Sequence, residues 1–311
     1  MKEFIQYLQA KDLTQSTQQA YLFNVNKFLQ WYGKDIENCR KKDILAYLEY
    51  LKDHKRVANI TRKNQLYALQ HYFNFLYKSN IIASNPTALI KIRGANPRKL
   101  HKIYTPQQLD QLYDDYYTVF VKNFDNSHIP KNQRLQNELS RQRNYIITGF
   151  LIYQGLVTSE FERLNLADID FLKATVKIYG RIRAKDRTLP LHASQIGALM
   201  HYIQNIRPQF LAFCKESDRL FFALPVSGRK STTSTSLKGV FKPLAEQLRT
   251  LAPDFTKIQL IRASRITQWL KTEGLRKTQY LAGHKTIIST EAYLPNDLEQ
   301  LTNDISQFNP F

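Results

Sequence analysis

Residues 262–293 read RASRITQWLKTEGLRKTQYLAGHKTIISTEAY, running from Arg262 to Tyr293. Arg262 follows Ile258, Leu260 and Ile261, an apolar cluster that predicts a partly buried first helical turn. Gly274 predicts a helix stop and Gly283-His284 a turn; Ser289-Thr290 and Tyr293 follow, the tyrosine nine positions after the histidine. Each residue alone has an ordinary reading. Tyr293 is one of 18 tyrosines and would pack on a helix face. A lone histidine such as His284 more often serves a turn or a satisfied core position than a phosphate. Arg262 would be a helix surface charge. It is their fixed order and spacing that asks for a chemical reading, and the rest of the chain sets its class.

The chain has 311 residues, too many for one ordinary core and about right for two domains, with 43% apolar residues to fill a core in each. Lys plus Arg number 45 against 26 Asp plus Glu, a net +19 with no low-complexity tail, which points to a polyanionic partner and to nucleic acid first. The first 100 residues hold 17 of the basic and 7 of the acidic side chains, so both parts of the chain are basic, as a clamp closing on a duplex requires. An unrelated basic enzyme or a membrane-surface protein is the lesser alternative that composition alone leaves open. No run reaches the roughly 18 to 20 apolar residues of a membrane span. The opening MKEFIQYLQA has no apolar signal core, so no membrane association and a cytoplasmic location are expected. Cys39 and Cys214 lie far apart and no histidines have metal-ligand spacing; buried thiols are expected, with neither a disulfide framework nor a metal site.

From Glu3 to Tyr77 apolar residues recur at helical spacing: Phe4, Ile5 and Leu8; Tyr21, Val25, Phe28 and Leu29; Ile44, Leu45, Leu48 and Leu51; Leu66, Leu69, Phe73 and Leu76. This predicts four amphipathic helices, with Thr14 or Ser16 capping the second and Thr61 the fourth. Tyr21, Phe28, Trp31 and Phe73 fall at core positions and read as packing, not as base-stacking platforms. Ser84-Asn85-Pro86 and the basic run from Arg93 to Lys99 predict a break, giving domains over 1–94 and 105–311 with a linker at 95–104. Thr105 and Pro106 open a new helix as cap and first-turn proline. Residues 141–154 predict a buried helix, and Asp168 to Tyr179 a strand region alternating through Thr175, Val176, Lys177 and Ile178. Gly180 turns the chain and Arg187 to Leu191 returns as the paired strand; the tract at 227–236 is a polar loop and helices follow from 237. Residues 119–140 are a polar interruption with no assignment.

In this setting the 262–293 stretch resembles the C-terminal signature of the tyrosine recombinases, the phage-integrase family: an arginine opening a helix, a Leu-x-Gly-His turn, then Ser-Thr and the tyrosine. Tyr153-Gln-Gly-Leu-Val-Thr-Ser-Glu160, followed by Leu166-Ala-Asp-Ile-Asp170, resembles the family's first catalytic box. The four front helices resemble its core-binding domain and the Thr175 to Leu191 segment its catalytic hairpin, so the resemblance spans nearly the whole chain. It implies a mainly α fold, in which a helical, SAM-like N-terminal core-binding domain joins a mostly helical α/β catalytic domain with one small antiparallel sheet. Helices beginning almost at Met1 leave no room for the arm-type domain of many phage integrases, so a simpler recombinase of a mobile element or of dimer resolution is expected.

The resemblance also implies chemistry without a metal or other cofactor. A tyrosine oxygen, here of Tyr293, attacks the scissile phosphate to give a 3′-phosphotyrosyl link and a free 5′-hydroxyl, conserving the bond energy for religation. Arg262 matches the family's second arginine, whose planar fork can hold two phosphate oxygens; His284 would donate to a phosphate oxygen. The first box departs from Gly-Leu-Arg-x-Ser-Glu, because Val157 stands where the arginine belongs. Gln259 stands where the family has a histidine, and its amide donates a hydrogen bond without shuttling a proton. The hairpin reads Gly180-Arg181-Ile-Arg183-Ala-Lys185-Asp-Arg187, and counting leaves open which residue replaces the family lysine. Lys185 is the only lysine in the turn and the better proton donor. Arg181 or Arg183 would restore part of the missing charge at the phosphate.

The expected function is site-specific recombination of double-stranded DNA by a protein that assembles as a dimer or tetramer on it. The alternatives are a catalytically impaired, sequence-specific DNA-binding or regulatory protein, motivated by Val157 and Gln259, and a type IB-like topoisomerase. Arg62, Lys63, Lys91 and Arg93 are the candidate phosphate contacts of the front domain. Leu298, Leu301, Ile305 and Phe308 predict a short apolar-faced tail helix, given either to a neighbouring subunit or back to its own domain.

Overall fold

The computed structural model of the protein describes residues 1–94, 102–180, 184–213, 217–224 and 236–294. The chain divides into two compact units, Met1–Lys99 and Leu100–Phe311. The first holds the four helices the periodicity predicts: α1 (Lys2–Gln9), α2 (Gln15–Tyr32), α3 (Lys41–Asp53) and α4 (Asn59–Lys78). Thr14 caps α2, its side chain accepting from the Thr17 amide, and Gly33 ends it in a left-handed conformation. Thr61 does not cap α4: the helix opens two residues earlier at Asn59, with Ala58 preceding it, so Thr61 lies inside the first turn. Phe28 is fully buried at the centre, edge-on to Tyr47 and Phe73 with ring centroids 5.1 and 5.9 Å away. The Tyr47 hydroxyl donates to buried Gln65 Oε1 at 3.2 Å, so the polar tip of this ring is satisfied. Cys39 is buried and free.

The second unit opens with α5 (Pro106–Tyr117), where Thr105 and Gln108 exchange hydrogen bonds of 3.2 and 2.9 Å in a capping box. The unassigned polar stretch becomes a single wide turn over Thr118–Lys122 and the first half of α6 (Lys131–Tyr153). Every residue of α6 from Arg143 to Tyr153 is buried, so the helix runs through the core of the unit. Three short strands follow as an antiparallel sheet in the order β1 (Ile169–Asp170), β2 (Thr175–Ile178), β3 (Arg187–Pro190). In β2 and β3 successive side chains alternate, burying Val176, Ile178, Leu189 and Arg187 on one face. Ile178 is paired with Arg187. Strand period therefore turns a charged residue inward.

The remaining helices are α7 (Ala193–His201), α8 (Arg207–Phe210), α9 (Lys238–Leu251), α10 (Gln259–Ala282) and α11 (Ile288–Glu291). Cys214 and the polar tract up to residue 235 lie outside the described residues, as does the chain from 295 onward, including the expected tail helix. Gly274 interrupts α10 with φ 73° and ψ 172°, a backbone conformation reserved for glycine, after which the helix resumes to Ala282. A straight helix of this length would separate its ends by roughly 36 Å at 1.5 Å per residue. The break lets the two ends approach each other.

Candidate active site

Arg262, in the first turn of α10, donates from Nη2 to the Ala282 carbonyl at 2.8 Å and to His284 Nε2 at 3.3 Å. Its Nη1 donates to the Gly155 carbonyl in the first-box segment. One guanidinium thus joins both ends of α10 to the segment after α6, a closure the Gly274 break makes possible. Gly155 is itself left-handed at φ 57°, and a Cβ there would lie 3.3 Å from the Trp269 ring. Burial lowers the Arg262 pKa from its ordinary value; Glu160 and Tyr293 oppose that shift and Arg187 adds to it. The group nevertheless stays charged at any working pH.

His284 follows Gly283, whose φ of 69° closes α10, with the His284 amide donating back to the Gln279 carbonyl at 3.0 Å. Its Nδ1 is 2.9 Å from the buried Thr290 hydroxyl. Burial, with the charges of Arg262 and then Arg187, pushes the His284 pKa down to about 4, against an upward pull from Glu160, so the ring is neutral near pH 7. Because Nε2 accepts from Arg262, the ring proton is assigned to Nδ1, with the Thr290 hydroxyl accepting it. The Tyr293 ring lies nearly parallel to that of His284, centroids 6.0 Å apart, and packs beside Ile266 and Trp269. Tyr293 stands close enough to Arg262 to favour its charged form. Arg262, His284 and Tyr293, spread over 32 positions of sequence, share one site.

Two residues outside the predicted set of site residues complete the surroundings. Arg187 projects from β3 and donates to Glu160 with Nη1 to Oε1 at 2.8 Å and Nη2 to Oε2 at 3.1 Å. Their side chains are 0% and 3% exposed. Glu160 Oε2 also accepts from the Val157 amide at 2.9 Å. Arg187 Nη1 lies so close to Gly283 that a Cβ there would stand 2.5 Å from it. A signal for Arg187 was present: two residues before Leu189, it shares the inward face of a predicted strand.

Lys185 is exposed, and its amide donates to the Gly283 carbonyl at 2.9 Å, while Ala184 bridges to His284. The hairpin is thereby laced to the histidine turn. Gln259 is exposed at the first position of α10, one turn before Arg262, with no side-chain hydrogen bond among the described residues. Arg181 and Arg183 lie outside the described residues. In the first unit, Arg62 donates to the Leu48 carbonyl at 3.2 Å and to Asn59 Oδ1 at 2.6 Å. Lys63 lies over the Tyr67 ring at 5.7 Å, and Lys91 and Arg93 are at the surface.

Residues 1–82 match the family described as phage integrase, N-terminal SAM-like domain, and residues 128–300 match the phage integrase family. The tyrosine recombinase XerC of Roseiflexus sp. (strain RS-1) is 26% identical over 94% of this chain and 88% of its own length. Among solved structures, the XerH site-specific recombinase bound to palindromic difH substrate superposes with a TM-score of 0.66 at 18% identity, over 93% of this chain and 79% of that one. A lambda integrase (75–356) dimer bound to a COC′ core site gives 0.64 at 14% identity, over 95% and 94%. With the two family matches covering its front helices and the whole Arg262–Tyr293 constellation, the chain belongs to the phage integrase family, the tyrosine recombinases.

Proposed function

We propose that the protein is a site-specific recombinase that cleaves and rejoins double-stranded DNA with Tyr293 as nucleophile, working as an oligomer on its site in the cytoplasm. The observation that supports this most is the convergence of Arg262, His284 and Tyr293, brought together from both ends of a broken helix and the turn after it. The Tyr293 hydroxyl gives its proton to solvent as its oxygen forms a bond to phosphorus, and the bond from phosphorus to the 5′-oxygen breaks. Arg262 holds non-bridging oxygens with its fork. His284 donates to the same phosphate once its Nε2 carries the proton. Thr290 suits that change of tautomer, since its hydroxyl accepts from Nδ1 in one state and donates to it in the other. Lys185, exposed beside the histidine turn, protonates the leaving 5′-oxygen. XerH and lambda integrase are solved on DNA, the latter as a dimer, which supports a duplex partner and assembly.

The experiment uses a duplex enriched by this chain from a random-sequence pool and then nicked to trap the covalent product. The wild-type chain is expected to form a detergent-resistant adduct on it. Tyr293→Phe is expected to bind the same duplex with unchanged affinity and form none. Stable binding by the wild type with no adduct on any enriched duplex would overturn the enzymatic reading in favour of a DNA-binding protein.

A further inference from the structure

Arg187 is joined through Glu160 to the first-box segment that carries Val157. Val157 has no charge to offer a phosphate, yet Glu160, three residues on, is retained and almost wholly buried. A buried carboxylate without a cation is strongly destabilising. Here the cation comes from β3, and Glu160 Oε2 receives both the Arg187 guanidinium and the Val157 amide. The guanidinium is therefore linked through one oxygen atom to the backbone from which the missing side chain would have extended.

We propose that Arg187 is the second guanidinium of the phosphate site, supplied by β3 in place of the first-box arginine that Val157 has replaced. The proposal rests on the recombinase reading. Three observations support it. Counting the buried charges, Arg262 against Glu160 alone leaves the centre neutral beside an uncharged His284. Adding Arg187 gives one net positive charge, the sign a phosphorane-like transition state requires. Second, both terminal nitrogens of Arg187 are used on Glu160 while its Nε, also buried, has no hydrogen-bond partner among the described residues. Such an orphan donor costs stability unless a ligand takes it. Third, Arg187 stands against Gly283, the residue before His284, and its charge is felt at both His284 and Arg262. A purely structural ion pair would explain the burial of Arg187 but would not need the third.

The test separates charge at the phosphate from neutralisation of Glu160. In the paired variant Glu160→Gln with Arg187→Gln no buried charge is left alone. On the duplex that traps wild type, the pair is expected to bind within a few-fold of wild type and to form adduct roughly 10² to 10³ times more slowly, the loss typical of one transition-state donor. The scissile position, mapped from the wild-type adduct, is then made a methylphosphonate, which lacks the non-bridging negative charge. The pair's deficit relative to wild type is expected to shrink at least tenfold on this substrate. Adduct formation near the wild-type rate in the paired variant, or an equal deficit on both substrates, would assign Arg187 a structural role only and overturn the proposal. If the pair fails to fold, Glu160→Leu with Arg187→Met, which likewise leaves no buried charge alone, is compared on the two substrates by the same criterion. Absence of a wild-type adduct overturns the recombinase reading and this proposal together, whereas a wild-type adduct with no substrate effect overturns this proposal alone.

Discussion

At the scale of single residues, the side chains of the site orient one another through hydrogen bonds. His284 Nε2 is occupied by Arg262, and Thr290 fixes the other ring nitrogen. Thr290→Val keeps the shape and removes the hydroxyl. Losing one hydrogen bond of about 1 kcal/mol slows adduct formation about fivefold, with DNA affinity unchanged, in single-turnover trapping assays. The low pKa of His284 gives a second expectation. Its folded value of about 4 lies below the ordinary 6.5, so between those values the unfolded chain takes up a proton that the folded chain refuses. Stability is therefore full above about pH 6.5 and falls as the pH drops toward 4. Denaturant titrations of wild type and His284→Gln across that window should show a shallower decline in the variant.

Elements explain which parts of this architecture the sequence disclosed. The four front helices, the Thr105-Pro106 start and the β2–β3 pair were legible because each rests on local periodicity or capping chemistry. The start of α6 was not, since its exposed first half has no apolar stripe until Leu139 enters the core. At the site, Arg262, His284 and Tyr293 were readable as a spaced motif. The pairing of Arg187 with Glu160 was hidden because they lie 27 residues apart and only the tertiary fold joins them. Gly283 shows both kinds of constraint at once, a left-handed φ of 69° and a side-chain nitrogen where a methyl would go. Gly283→Ala is expected to cost about 1 to 3 kcal/mol. It also displaces Arg187, so adduct formation falls further than the stability change alone predicts. Thermal melts beside trapping assays measure the two effects. Thr105→Ala, by contrast, removes one cap and is expected to cost about 1 kcal/mol without altering the adduct rate at a temperature where the variant is folded.

For the whole molecule, two cores and a net +19 mean that binding to DNA should weaken steeply with salt. Lys91→Ala and Arg93→Ala, both at surface positions, are expected to reduce the salt slope by about one each if they touch phosphates, measured by fluorescence anisotropy over a salt series. Arg62→Ala should act chiefly on stability, because its guanidinium already holds the Leu48 carbonyl. The most demanding constraint on the molecule is one of handedness. Gly274 adopts φ 73° and ψ 172°, and a Cβ built on it meets nothing within 4 Å, so the obstacle to any other residue is chirality and not space. Reflected, those angles are those of ordinary extended backbone, which a D-amino acid adopts with ease. A semisynthetic chain with D-alanine at position 274 should therefore keep Arg262 against His284 and retain cleavage, while L-alanine at the same position should pull the two halves of α10 apart and lose it.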